Sequence, residues 1–282
     1  MLVNKENPLV PGKLELIIKI VLLVILAIIT LLPMLWMVVS SLQPQALSIE
    51  FPPNLNPLKF ELRNYITLFN RSHIFRWTLN SVIFASFSTG LTIFVASLAG
   101  YAFAKLKFPG SKYLFWLYII TLMLPFQVAL IPLYIIMTRL GLTDTYLGLI
   151  LPAIASPLAV FLMKQVMQTI PTALLESARL DGCNEFDVWR YIIIPLSKPG
   201  IAFLGIITFV RQWNNFLWPL VVTESIRMRP LQVGLTLIQE ELPLSYGLHM
   251  AGSTYAAIPM IIVFFIFQRH FLRGITVGAM KG

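Results

Sequence analysis

Residues 176–200 read ESARLDGCNEFDVWRYIIIPLSKPG, four acidic and three basic side chains set between long apolar runs. The local chemistry of this stretch predicts helix, kink, helix. Pro171 suits a first helical turn, and Thr172 to Asp181 is rich in good helix formers. Gly182 supplies the left-handed residue on which helices commonly end. Asn184, with Asp187 three residues on, has the spacing of an N-terminal capping pair. On the second helix Phe186, Trp189 and Ile193 share a face, with Glu185, Asp187 and Arg190 turned elsewhere. Pro195 and Pro199 interrupt the pattern before the next apolar run. Helices that lie on a membrane surface tend to be rich in Lys and Arg. This segment has no cationic excess, so docking on a partner protein is the better reading. Ser177 and Ala178 are small enough to let another surface approach closely.

Outward from that loop the chain is built for lipid. Of 282 residues 57% are hydrophobic and 12% charged, and the mean hydropathy is +0.80. A soluble domain is about a quarter charged, so the composition points to a polytopic membrane protein. The net charge of +9 is scattered along the chain rather than gathered beside aromatics, which excludes a nucleic-acid groove. The lone cysteine, Cys183, excludes an intramolecular disulfide and a CxxC metal site. His73, His249 and His270 have no metal-ligand spacing, so no metal site is predicted.

A bilayer core takes about 20 apolar residues per helix. That rule selects six spans, near 14–42, 79–104, 113–138, 146–168, 199–223 and 250–270, an all-α polytopic fold with a cytoplasmic two-helix loop at 171–198. The first run is too long for a signal peptide and has no small-residue cleavage site, so it reads as a retained span after a cytoplasmic N-terminus, 1–13. With both termini inside, thirteen Lys and Arg residues face the cytoplasm and seven face outward, the asymmetry that sets orientation. The rest of the chain, 14–282, reads as one transmembrane domain ending in a tail, 271–282.

The loop also carries a resemblance. Glu176-Ser177-Ala178, three residues, Gly182, nine residues, Ile192, one residue, then Ile194-Pro195 resembles the EAA loop of the membrane-spanning subunits of bacterial and archaeal ATP-binding-cassette importers. Ser177 replaces the first Ala of that pattern, and Ile194 its Leu. RQWNNFLWPLV (211–221), RPLQVGL (229–235) and QRHFLRGITVGAMKG (268–282) resemble the carbohydrate-importing branch, most of all the shorter maltose-type permease. The resemblance implies a coupling helix seated in a cleft of a separate ATPase subunit. Glu176 would meet a basic residue there, with Ser177, Ala178, Arg179 and Asp181 in the contact and Gly182 setting the kink. It implies a heterodimeric second permease, two ATPase subunits and an extracytoplasmic solute-binding protein as partners, a sugar as substrate, and a bacterial or archaeal plasma membrane as location. The tail is implied to run along the ATPase interface, with Gly278 fitting a narrow crevice and Lys281 pairing with an acidic or phosphate-bearing neighbour.

No cofactor is predicted on this chain. There is no GxxxxGK[ST], so any ATP and magnesium must be bound by a partner. The polar group Arg211, Gln212, Asn214 and Asn215 around Trp213 lies inside a predicted span, where ionisable groups are costly and usually functional. Amides and indoles suit sugars; the same groups also serve as contacts between helices. Two other functions fit the composition. A secondary sugar transporter commonly carries intramembrane Asp, Glu or His relays, whereas no Asp or Glu lies in the interior of these spans. A membrane-embedded enzyme needs a cluster of acids, histidines or a nucleophile near the interface.

Overall fold

The computed structural model describes residues 13–44, 56–71, 73–242 and 245–279. Among them every regular element is helical, as the composition predicts. In chain order the helices are α1 (Lys13–Ser41), α2 (Arg63–Arg71), α3 (Ile74–Lys105), α4 (Ser111–Ile120), α5 (Phe126–Arg139), α6 (Tyr146–Ile154), α7 (Pro157–Gln168), α8 (Thr172–Leu180), α9 (Glu185–Leu196), α10 (Lys198–Trp213), α11 (Leu217–Val222), α12 (Leu231–Glu241) and α13 (Tyr246–Ala279).

Three of these are long and apolar enough to cross a bilayer alone: Leu14–Ser41, Ile74–Lys105 and Tyr246–Gln268. Three bent pairs pass the same test together. Ser111–Met123 with Phe126–Arg139 turns by 103°, Tyr146–Ile154 with Pro157–Gln168 by 47°, and Glu185–Leu196 with Lys198–Trp213 by 79°. Among the described residues there are thus up to six spans, if each pair is one span. Two of the bends fall inside the spans expected at 113–138 and 146–168, the third falls at Ser197 just before the span expected at 199–223, and proline is the physical reason. Leu124 and Ser156, each directly before a proline, are held extended (ψ 120° and 101°) by the clash with the following ring. Pro199 has no N–H to continue the ladder out of α9. The expected span 199–223 is also interrupted after Trp213, and the chain resumes helix only at Leu217.

The structure divides into two compact units, Met1–Asn70 with Glu241–Tyr255, and Arg71–Glu240 with Ala256–Gly282. In the first, the apolar window of α1 has none of its residues buried within the chain, so its whole surface is left for lipid or another protein. The buried Asn64 donates to the carbonyls of Ser41 (2.9 Å) and Gln43 (2.7 Å), which ties α2 to the end of α1.

The second unit is organised around α3, which packs against α6, α7 and α10. Its buried residues (Asn80, Ser81, Ala85, Ser88, Thr92, Ala96, Ser97 and Gly100 among them) recur three and four apart and are mostly small. In lipid there is no hydrophobic drive between helices, so association depends on close backbone approach and van der Waals contact. Gly100 shows the consequence: a Cβ there would lie 2.7 Å from Met163 Cβ and 2.9 Å from the Lys164 backbone nitrogen. One apolar cluster joins the C-terminal half of α3 to α7, α8 and α9 through Met163, Met167, Leu175, Val188 and Ile193. Another, formed by Phe84, Leu149, Trp218 and Val222, lies towards its N-terminal half.

The last apolar span ends at Gln268, near the expected 270, and the backbone of α13 stays helical to Ala279, within the segment 271–282 read as a tail. Gly278 falls within that helix, and Lys281 lies outside the described residues.

Candidate functional site: the charged loop

Pro171 stands at the N-cap of α8, with helical backbone beginning at Thr172. The helix ends as the sequence predicts. Gly182 has φ +88°, its N–H reaches the Arg179 carbonyl at 3.1 Å, and the Cys183 N–H reaches the Ala178 carbonyl at 3.0 Å. That pair of bonds satisfies the orphan carbonyls of the last turn and reverses the chain. Asn184 then caps α9, its Oδ1 accepting from Phe186 and Asp187 N–H at 2.9 and 3.0 Å, while Asp187 accepts from the Asn184 N–H at 3.3 Å. Both caps are satisfied locally, so the kink is a property of this short sequence.

The tight reversal places Arg179 beside the first turn of α9. Its guanidinium donates Nε to Glu185 Oε1 at 2.8 Å and Nη2 to Oε2 at 3.2 Å. Hydrogen bonding to Glu185 is the chief cause that holds the Arg179 pKa above its ordinary value. Glu185 also accepts from the Tyr101 hydroxyl of α3 at 2.5 Å. Four residues on, Lys105 donates Nζ to the Gln168 and Ile170 carbonyls (3.2 and 2.5 Å), capping α7 where a cation favours the dipole. The loop is thereby fastened to the C-terminal end of α3 on both sides of α8. The sequence reading missed Tyr101, Lys105 and Glu185. The available signal was Glu185 three residues beyond the left-handed Gly182, close enough to meet the last turn of α8.

The remaining site residues divide by face. Glu176, Ser177 and Asp181 are exposed, as are Leu174 and, at 89%, Leu180. Ala178 is not: it is 8% exposed, inside the cluster with Leu175 and Val188. Its small side chain serves close packing within the chain, which corrects the expectation of an outward-facing Ala178. The face expected on the second helix also shifts. Trp189 and Ile193 are buried with Val188, while Phe186 is half exposed and rests on Trp189 at 5.1 Å. A π-helical turn over Trp189–Ile193, in which the Ile194 N–H reaches the Trp189 carbonyl, widens the helix and brings Val188 inward.

A match to the family of binding-protein-dependent transport system inner membrane components spans residues 92–277. The chain belongs to this family. The permease is 38% identical over 260 residues to the arabinooligosaccharides transport system permease protein AraQ of Bacillus subtilis (strain 168), covering 91% of this chain and 92% of that one. It is 31% identical to the lactose transport system permease protein LacG of Rhizobium radiobacter (90% and 92% covered), and 34% identical to the sn-glycerol-3-phosphate transport system permease protein UgpE of Brucella suis biovar 1 (strain 1330) (88% and 92%). In fold it is similar to a chain of a bacterial ABC transporter involved in the import of the acidic polysaccharide alginate, with TM-score 0.80, 22% identity, and 93% and 99% of the two chains covered. Like these relatives, the permease is a membrane transport subunit and not an enzyme.

The polar group near the end of α10 is dispersed in the permease. Gln212 and Trp213 are buried at 6% and 1% exposure, and the Trp213 indole donates to the Ala256 carbonyl of α13 at 3.2 Å. Arg211 and Asn214 are exposed, and Asn214 returns its amide to the Val210 carbonyl at 2.9 Å. Asn215 donates to Gln212 Oε1 at 3.0 Å. The structure therefore gives Gln212 and Trp213 a role in helix contact, and it leaves Arg211 and Asn214 on the surface.

Proposed function

We propose that the permease is one of two unlike membrane-spanning subunits of an importer that takes up oligosaccharides or sugar-like solutes. Its loop 171–198 lies in the cytoplasm as the coupling element. The observation that carries this reading is a loop whose kink is fixed by Gly182 and Asn184 and whose outward face is left to Glu176, Ser177, Leu180 and Asp181. A rigid kink with exposed apolar and acidic groups suits a partner whose cleft is basic at its rim. One of two ATPase subunits would be that partner, and the pair would supply the ATP and magnesium sites.

With both termini inside, the long segment between α1 and α3 and the segment after α11 face outward, where a solute-binding protein would dock. Arg211, Asn214 and Asn215 are the candidates for the solute route, and the exposed Arg211 and Asn214 are the stronger two. The tail residues Gly278 and Lys281 are candidates for the ATPase interface. The names of the relatives favour oligosaccharides as the first substrates to try.

The test is uptake by proteoliposomes holding the permease, its partner permease and the ATPases, with the binding protein outside. Arabinooligosaccharides should accumulate only with ATP inside and only with the binding protein present. Uptake driven by a proton or sodium gradient without ATP would overturn the reading in favour of a secondary transporter.

A further inference from the structure

Both ends of α3 are bonded to segments remote in sequence. At the N-terminal end four residues on consecutive turns hold residues 226–231. Trp77 donates its indole N–H to the Ile226 carbonyl at 2.8 Å, and Arg76 its Nε to the Arg227 carbonyl at 3.3 Å. Asn80, fully buried, donates to the Arg227 and Arg229 carbonyls at 2.8 and 2.9 Å and accepts from the Tyr146 hydroxyl at 2.7 Å. Ser81 accepts from the Leu231 N–H at 2.8 Å. Just beyond, α12 lies so close on Trp77 that a Cβ at Gly234 would fall 2.1 Å from the indole. At the C-terminal end are Tyr101, bonded to Glu185, and Lys105, bonded on the other side of α8.

Between these ends α3 has neither proline nor break, while the pairs 111–139, 146–168 and 185–213 around it are bent by 47° to 103°. At the helical rise, Asn80 and Tyr101 lie about 32 Å apart along the axis. A continuous hydrogen-bonded helix resists axial compression, whereas a bent pair yields at its hinge. Buried hydrogen bonds such as those of Asn80 are costly to leave unmade. The Arg179–Glu185 pair is part exposed, at 35% and 49%. Exposed pairs add little stability, so its effect is to fix direction.

We propose that α3 is a strut for coupling, and that Asn80 and Tyr101, with Glu185, are positioning residues. They hold the outer segment 226–231 and the charged loop at a fixed separation, so that a displacement imposed on the loop is delivered to the outer segment as one movement. This rests on the coupling role given to the loop under Proposed function. Coupling between distant sites needs a physical element that both sites bias, and α3 is bonded at both.

Two measurements on the assembled complex test it. Spin labels are placed at Tyr191→Cys and Ser225→Cys, both exposed positions, with Cys183→Ser as background. Their separation should be the same in the nucleotide-free complex and in the complex trapped with ADP and vanadate. With Tyr101→Phe or Glu185→Gln added, the distribution should broaden or shift on trapping. A change of separation in the unaltered strut overturns the proposal. The second measurement is the stimulation of ATP hydrolysis by the binding protein loaded with arabinooligosaccharides. Asn80→Ala and Tyr101→Phe should each lower it about fivefold, the range of ordinary allosteric coupling. Sites this far apart otherwise act independently, so the double variant decides. A loss no greater than the worse single supports the strut; the product of the two losses refutes it. If Asn80→Ala fails to assemble, Ser81→Ala replaces it in the cycle. A merely structural role would lower melting temperature and stimulation together, whereas Glu185→Gln should lower stimulation with the melting temperature held. Failure of the complex to take up sugar at all would strike the proposed function; uptake with additive variants strikes only the strut.

Discussion

The charged loop 171–198 and the polar group 211–215 are both interruptions in an apolar chain, yet they are built on opposite plans. In the loop, groups within a few residues of one another satisfy both helix ends: the Gly182 reversal closes α8 and the Asn184–Asp187 box opens α9. Its fastening to α3 then comes from Tyr101 and Lys105. In the second region the polar residues divide between two sides of the chain, with one bond between them, from Asn215 to Gln212. Helical periodicity sends Gln212 and Trp213 inward and Arg211 and Asn214 outward. On a straight helix neighbours in sequence share a face only at a spacing of three or four residues, unless the backbone between them turns back on itself. The loop contains such a reversal, and the segment before Trp213 is a continuous helix.

The comparison breaks most sharply at Gly182. Gly182→Leu forces a branched side chain into the left-handed region, which costs about 1–2 kcal/mol per residue, and it misdirects α9 relative to α8. Uptake should fall more than tenfold while the protein still inserts; normal uptake would remove the kink from the mechanism. Glu176→Lys leaves the loop's own bonds intact, because Glu176 is exposed, and reverses only the charge offered to a partner. Like charges across an interface cost binding, so the expected loss of uptake and of stimulated ATP hydrolysis is about tenfold, with an unchanged melting temperature.

The 211–215 region calls for a split in readout. Trp213→Ala empties a site only 1% exposed and should cost about 3 kcal/mol in a reversible unfolding titration. Asn214→Leu should leave that titration unchanged and lower uptake about threefold through one lost polar contact. If Asn214→Leu destabilises the protein and uptake merely follows, Asn214 is a helix contact like its neighbour. The smallest effect is expected from deleting residues 276–282. Insertion should be intact, and ATP hydrolysis by complexes of equal ATPase content should fall about twofold, as for a terminus that makes only a few contacts. Equal hydrolysis would leave the tail without a role at the ATPase.

The all-helical class, the long apolar spans and the paired helices of the loop were legible from sequence. Each rests on interactions of short range: backbone bonds to the fourth residue, caps reaching two or three residues, and side chains sorted by transfer to lipid. The stop at Gly182 and the start at Asn184 needed no knowledge of the rest of the chain.

Tertiary structure alone decided that Ala178 faces inward, that Val188 joins Trp189 behind a π turn, and that Glu185 reaches Tyr101 across 84 positions of sequence. It also decided how far the proline-containing spans bend. Sequence marks where a proline removes a hydrogen bond, but the angle follows from the helices packed against the hinge. Which face of a short helix is buried is likewise set by what lies beside it, and for α8 and α9 that neighbour is the far end of α3.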